Sequence, residues 1–136
     1  MKSAPNTFQS GTLQPAAPQP GPAPRVTLVV PVYNEEASIT IFLDRITQVI
    51  ADIGPSIRFD ILFVNDGSRD KTERLILAEA AKRDDISLLN FSRNFGKEAA
   101  LTAGLHHATG DAVIPLDVDL QDPPEVMVEM IRLWQG

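Results

Sequence analysis

The stretch "VTLVVPV", Val26 to Val32, decides the architecture. It is short, apolar and β-branched, with no polar residue at alternate positions beyond Thr27, as expected of a strand covered on both faces. Strands of that kind belong to parallel sheets, so helix and strand patterns should alternate downstream. Ile39, Phe42, Leu43, Ile46, Val49, Ile50 and Ile53 follow at helical spacing and mark an amphipathic helix ended by Gly54-Pro55. "FDILFV" (Phe59 to Val64) reads as the second strand. Asp70 followed by Glu73 has the form of a capping box, opening a helix that runs to about Lys82. "ISLLNF" (Ile86 to Phe91) is the third strand, and "KEAALTAGLHHAT" a helix closed by Gly110. "AVIPL" is the fourth strand, after which Pro123-Pro124 opens a helix carrying Val126, Met127, Met130, Ile131 and Trp134. The expected fold is α/β, a Rossmann-like and mostly parallel sheet flanked by helices on both faces. Pro115 removes a ladder donor inside a strand pattern, which predicts a bulge or an irregular strand end.

The chain has 136 residues, enough for one domain, and its 43% hydrophobic and 22% charged residues are those of a soluble globular protein. A formal net charge of -6 argues against broad binding to nucleic acid or an anionic bilayer. The absence of cysteine removes disulfides, thiolate zinc sites and a cysteine nucleophile. The apolar runs fall short of the roughly 18 residues of a membrane span. "MKSAPNT" lacks the apolar core of a signal peptide, so the chain reads as cytoplasmic. Residues 1–24 stand apart: they hold six of the 11 prolines, and Lys2 is their one charged side chain. Such a segment buries too little apolar area to offset its ordering entropy and reads as a disordered Pro/Ala-rich tail. The alternative is a ligand for an SH3-like domain. Residues 25–136 form the folded part.

Open parallel sheets bind ligands beyond the carboxyl ends of their strands. The four strand tips carry "YNEE" (Tyr33 to Glu36), "NDGS" (Asn65 to Ser68), "SRNFGKE" (Ser92 to Glu98) and "DVDLQD" (Asp117 to Asp122). A site on this edge follows. No G-x-G-x-x-G, P-loop or G-x-S-x-G pattern is present, and Asp122 stands where an EF-hand loop needs glycine. Asp117 and Asp119 alternate and would face the same way on a strand. A hard cation such as Mg²⁺ or Mn²⁺ would relieve their repulsion, with Gln121 adding a carbonyl oxygen. The plainer alternative is a solvated strand tip, with Asp122 capping the next helix. Asp66 is either good turn chemistry or an acceptor for a base N–H. Tyr33 is either core or a stacking platform, and Arg93 and Lys97 either balance the acids or meet phosphate oxygens. Of His106 and His107, one is expected to pack and the other to be solvated.

"VVPVYNEE", "FVNDGSRDKT", "SRNFGKEAALTAGLHHATGD" and "PLDVDLQDPPE" together resemble the N-terminal part of family 2 glycosyltransferases with the GT-A fold. The branch is the dolichyl-phosphate mannosyltransferase-like one, which includes bacterial polyprenyl-phosphate (bactoprenol) glucosyltransferases. The resemblance runs from about Val26 to Trp134 and implies that Pro31, Tyr33 and Glu35 line a nucleotide pocket, with Val64 and Asp66 at its base. It implies that Asp117 and Val118 approach the sugar diphosphate, and that Asp117, Asp119 and Gln121 hold Mg²⁺ or Mn²⁺. It assigns no catalytic base. The implied reaction is inverting transfer of a hexose from a UDP-sugar or GDP-mannose to a polyprenyl (dolichyl or undecaprenyl) phosphate, in lipid-linked glycan synthesis. The implied partners are the nucleotide-sugar donor and the polyprenyl-phosphate acceptor, with no nucleic acid, at the cytoplasmic face of the membrane. Val118 stands where the family has a small residue, and Pro115 replaces a plain strand residue. Family members continue beyond "LWQG" with an acceptor half and membrane helices. Residues 25–136 are therefore expected to be the donor-binding portion of a truncated catalytic domain, completed by a missing half or a homo-oligomer. The alternative is a non-catalytic nucleotide-sugar-binding remnant.

Overall fold

The computed structural model describes residues 23–119 and 124–135; the expected disorder of the tail, and the roles given to Gln121, Asp122 and Pro123, lie outside the described residues. The elements alternate as β1 (Arg25–Val32), α1 (Ile39–Ile53), β2 (Arg58–Asn65), α2 (Thr72–Ala80), β3 (Ile86–Asn90), α3 (Lys97–His107), β4 (Ala112–Pro115) and α4 (Pro124–Gln135). All strand pairs are parallel, and the sheet order is β3-β2-β1-β4.

The uniform apolar runs of β1 and β2 are explained by burial on both sides. Val26, Leu28, Val30 and Val32 of β1 and Phe59, Ile61 and Phe63 of β2 face one core. Ile39, Phe42 and Ile46 of α1, Ile76 of α2, and Met127 and Ile131 of α4 fill it from above. Phe42 meets Phe63 edge to face, with ring centroids 5.9 Å apart, a favoured aromatic geometry. The intervening residues Val29, Leu62 and Val64 point the other way, into a smaller core with Ala100 of α3. There α3 lies very close to the sheet: a Cβ on Gly104 would fall 2.4 Å from Val29 Cγ1. The sequence expectation that Gly110 closes this helix is not met. The helix ends at His107, and Ala108 is already extended. Gly110 instead donates its N–H to Thr27 Oγ1 at 3.0 Å, at the start of β4.

β4 pairs with β1 in unbroken register from Val26↔Ala112 to Val29↔Pro115, so the bulge expected at Pro115 does not form. The strand does end there. The amide of Leu116 donates to Val29 O at 2.9 Å, which turns the nitrogen of Pro115 away from β1. Among the described residues β4 pairs with β1 alone, so the donor that Pro115 lacks is not missed in that pairing. From β1 the chain steps outward to β2 and β3, then crosses back beneath the sheet through α3 to lay β4 on the opposite side of β1. This reversal opens a crevice at the carboxyl ends of β1 and β4, where α/β sheets bind ligands.

Candidate functional site

A cavity of about 220 Å³ occupies that crevice. It is lined by Pro31, Val32, Tyr33 and Glu35 from the end of β1 and Asp66 from the end of β2. Lys97 at the start of α3, and Asp117, Val118 and Asp119 beyond β4, complete it. Eight residues singled out in the sequence thus meet: Pro31, Tyr33, Glu35, Asp66, Lys97, Asp117, Val118 and Asp119. Val64 is placed elsewhere. It is fully buried beneath α3, because strand alternation turns it toward the small core.

The β1 and β2 tips are stapled to each other. Asn34 adopts φ 51°, a left-handed conformation that asparagine tolerates better than most residues. In that pose its N–H donates to Ser68 Oγ at 2.9 Å and its Oδ1 accepts from Arg69 N at 2.8 Å. Glu35 N donates to Thr72 Oγ1 at 2.8 Å, and Glu36 N to Asp70 Oδ2 at 3.2 Å. Asp70 Oδ1 accepts from Thr72 N at 2.9 Å and from Thr72 Oγ1 at 2.5 Å. Burial alone would raise the Asp70 carboxyl, but the hydrogen bonds from Thr72 and Glu36 outweigh it and hold the group below its ordinary value. The expected reciprocal capping box is replaced by this junction: Asp70 spans two loops, and Glu73 lines a neighbouring cavity.

Asp66 fastens the next loop. Its carboxylate is 3% exposed and accepts from Phe95 N at 2.7 Å, Gly96 N at 3.0 Å and Asn94 Nδ2 at 3.1 Å. The turn and the acceptor readings of Asp66 therefore merge, with most of its acceptor capacity directed at its own chain. Gly67 beside it has φ 73°, and a Cβ there would lie 2.3 Å from Arg93 C, so the two loops touch backbone to backbone. Asn34, Asp70, Thr72 and Asn94 were not identified as site residues from the sequence. Short polar side chains were the available signal, but apart from the local pair Asp70 and Thr72 their partners lie on distant segments and leave no local pattern.

Beyond β4 the aspartates sit in a turn, not on the strand, so strand alternation is not what aligns them. Val118 between them is 5% exposed and packs into the large core, anchoring the turn with an aspartate on either side. This accounts for a branched apolar residue at that position. Lys97 Nζ donates to Asp117 Oδ1 at 2.6 Å, and this hydrogen bond is the main reason its ammonium is raised above its ordinary value. Glu35 is raised as well, first by burial and then by the charge of Asp119. Among the described residues no three His, Cys, Asp or Glu side chains gather as a metal cluster. Asp117 and Asp119 still offer hard oxygen donors to one cavity, and the ammonium on Asp117 shows that positive charge is favoured there.

Tyr33, 44% exposed, also lines a second cavity of about 380 Å³ with Ser68, Arg69, Arg93 and Asn94. The Arg93 guanidinium lies 4.8 Å from the Phe95 ring centroid. His106 and His107 are both exposed, correcting the expectation that one packs. The buried line of α3 is Ala100 and Gly104, and neither histidine falls on it. At the opposite end of the sheet polar groups satisfy one another: Thr27 Oγ1 donates to Asp60 Oδ1 at 2.8 Å, and Arg83 grips both oxygens of Asp85. Among the described residues no helix is long and apolar enough to cross a membrane.

Residues 27–136 match the model of glycosyl transferase family 2. Over 112 residues the chain is 51% identical to the prophage bactoprenol glucosyl transferase homolog of Escherichia coli (strain K12), covering 82% of this chain and 36% of that protein. Over 121 residues it is 42% identical to the undecaprenyl-phosphate 4-deoxy-4-formamido-L-arabinose transferase of Pseudomonas aeruginosa (strain LESB58), covering 87% of this chain and 35% of that one. The chain thus spans little more than a third of the curated relatives it matches. Among solved structures it resembles the mannosyltransferase PcManGT from Pyrobaculum calidifontis in complex with GDP-Man and Mn²⁺, with a TM-score of 0.61 and 30% identity over 82% of this chain and 36% of that one. The parallel sheet flanked by helices is that of GT-A glycosyltransferases, and the chain belongs to glycosyltransferase family 2.

Proposed function

We propose that the cavity between β1 and β4 binds a nucleotide sugar and serves the inverting transfer of a hexose to a polyprenyl phosphate. The observation that carries this reading is the gathering of Tyr33, Glu35, Asp117, Asp119 and Lys97 at the reversal point of the sheet. It is supported by 51% identity to a bactoprenol glucosyl transferase homolog and by the GDP-Man and Mn²⁺ held by PcManGT. The half-exposed ring of Tyr33 offers a stacking face for the base. Pro31 and Glu35 border the nucleotide, and Asp66 keeps limited acceptor capacity for a base N–H. Glu35, Asp117 and Asp119 would repel a diphosphate unless a cation stood between them. Asp117, Asp119 and Gln121 would hold Mg²⁺ or Mn²⁺, and Val118 would bring its backbone near the diphosphate. When bound, the metal offsets the charge that develops on the departing diphosphate.

In the transfer, a phosphate oxygen of the acceptor forms a bond to the anomeric carbon while the bond from that carbon to the nucleoside diphosphate breaks on the opposite face. The acceptor is a phosphate monoester with a second pKa near 6, so it is mostly ionised at pH 7 and needs no base to remove a proton. Calorimetry with UDP and GDP tests the donor site. Binding is expected only with Mn²⁺ or Mg²⁺, weakened at least about tenfold by Asp119→Ala, as expected on losing a metal contact. Affinity that survives EDTA would overturn the metal assignment, and no binding of either nucleotide with metal would overturn the donor site. Transfer of labelled glucose to undecaprenyl phosphate by the chain separates an enzyme from a binding unit.

A further inference from the structure

We infer that Lys97 is a built-in counter-ion of the acidic turn, holding Asp117 until a divalent cation takes that carboxylate and then turning to the nucleotide diphosphate. The inference rests on the donor-site reading above and adds an exchange step to it. Lys97 is the first residue of α3, an end whose partial positive charge disfavours an ammonium. It is nonetheless drawn to Asp117, 20 residues away in the sequence, at 2.6 Å. Its backbone is placed by Asp66, which fastens the amides of Phe95 and Gly96 immediately before it. The side chain is different: 63% of it is exposed, on a flexible aliphatic stem, and Asp117 is itself 38% exposed. The arrangement is a fixed base with a movable charged tip.

The same cavity holds Glu35, Asp66, Asp117 and Asp119 against this one lysine, so acids exceed cations among its described lining. A divalent ion bound at Asp117 Oδ1 would sit against the ammonium and repel it. The two cations can share the cavity once an anion lies between them, and a diphosphate supplies that anion. Metal and diphosphate should therefore bind with positive coupling, each raising the affinity for the other by the same factor. Lys97 sets the size of that coupling by opposing the bare metal and favouring the metal-diphosphate pair.

The test uses the 136-residue chain as wild type, Lys97→Met and Lys97→Arg. Free Mn²⁺ is read by electron paramagnetic resonance without nucleotide, and UDP and GDP binding by calorimetry in saturating Mn²⁺. Lys97→Met is expected to bind Mn²⁺ alone about fivefold more tightly, since a partly exposed ion pair no longer competes. The same variant should lose roughly tenfold in nucleotide affinity, because a charge-assisted contact to phosphate is gone. Lys97→Arg, which keeps the charge, should stay close to wild type in both. Unchanged or weaker Mn²⁺ binding by Lys97→Met overturns the exchange, whatever the nucleotide does. Failure of the wild type to bind either nucleotide with Mn²⁺ overturns the donor-site reading instead, so the two failures are distinguishable.

Discussion

On the β1–β2 side of the cavity, Asn34, Asp66 and Asp70 tie three loops together through hydrogen bonds between 2.7 and 3.2 Å, most of them to backbone amides. On the β4 side, Val118 anchors the turn by packing, and Asp117 reaches α3 through the long side chain of Lys97. Backbone amides cannot leave their partners without moving the loop. A lysine tip can. The first wall is thus preorganised, as the proposed binding of a nucleotide would require. The second is held through one flexible ammonium, which under the proposal above would exchange for a bound cation.

The comparison can be broken hardest at Gly67. Gly67→Ala forces a Cβ into the Arg93 backbone at a left-handed φ, and a loss of about 4 kcal/mol in chemical denaturation is expected. Asp66→Ala strands the amides of Phe95 and Gly96 and the Asn94 side chain, and should cost about 3 kcal/mol. Asp70→Asn weakens the junction between the first two loops by about 1 kcal/mol, the usual worth of such a cap. Its effect should depend on pH. The folded-state carboxyl lies below the ordinary value of 3.8, so its contribution is complete above that pH and fades as pH falls through the folded value. Thermal melts of wild type and Asp70→Asn should therefore differ at pH 7 and converge in strong acid. Lys97→Met should change stability by less than about 0.5 kcal/mol, as an exposed ion pair contributes little, while still altering metal binding. A large loss of stability in Lys97→Met would erase the distinction between the two walls.

Much of this was legible in the chain. The apolar run from Val26 to Val32 and the helical spacing from Ile39 to Ile53 report local periods, and both elements formed within a residue of the expected ends. The acids at the strand tips were readable because a parallel sheet puts all carboxyl ends on one edge. Val64 packs in the small core under α3, a direction set by strand alternation that a resemblance of positions does not carry. Gly110 was misread because a glycine that ends a helix and one that lets two segments touch look alike in sequence.

What the sequence determined by itself was the alternation of strands and helices, the edge that carries the site, and the chemical types gathered there. The tertiary structure alone decided the order β3-β2-β1-β4, and with it that the tips of β1 and β4 enclose one cavity. It also decided that Lys97 rests on Asp117, and that Asp66 binds the loop before Lys97. Periodicity is written in neighbouring residues, whereas these contacts join segments 20 to 30 residues apart: the pairing of β2 with β3 brings Asp66 to Phe95 and Gly96, and the crossing of α3 beneath the sheet brings Asp117 to Lys97.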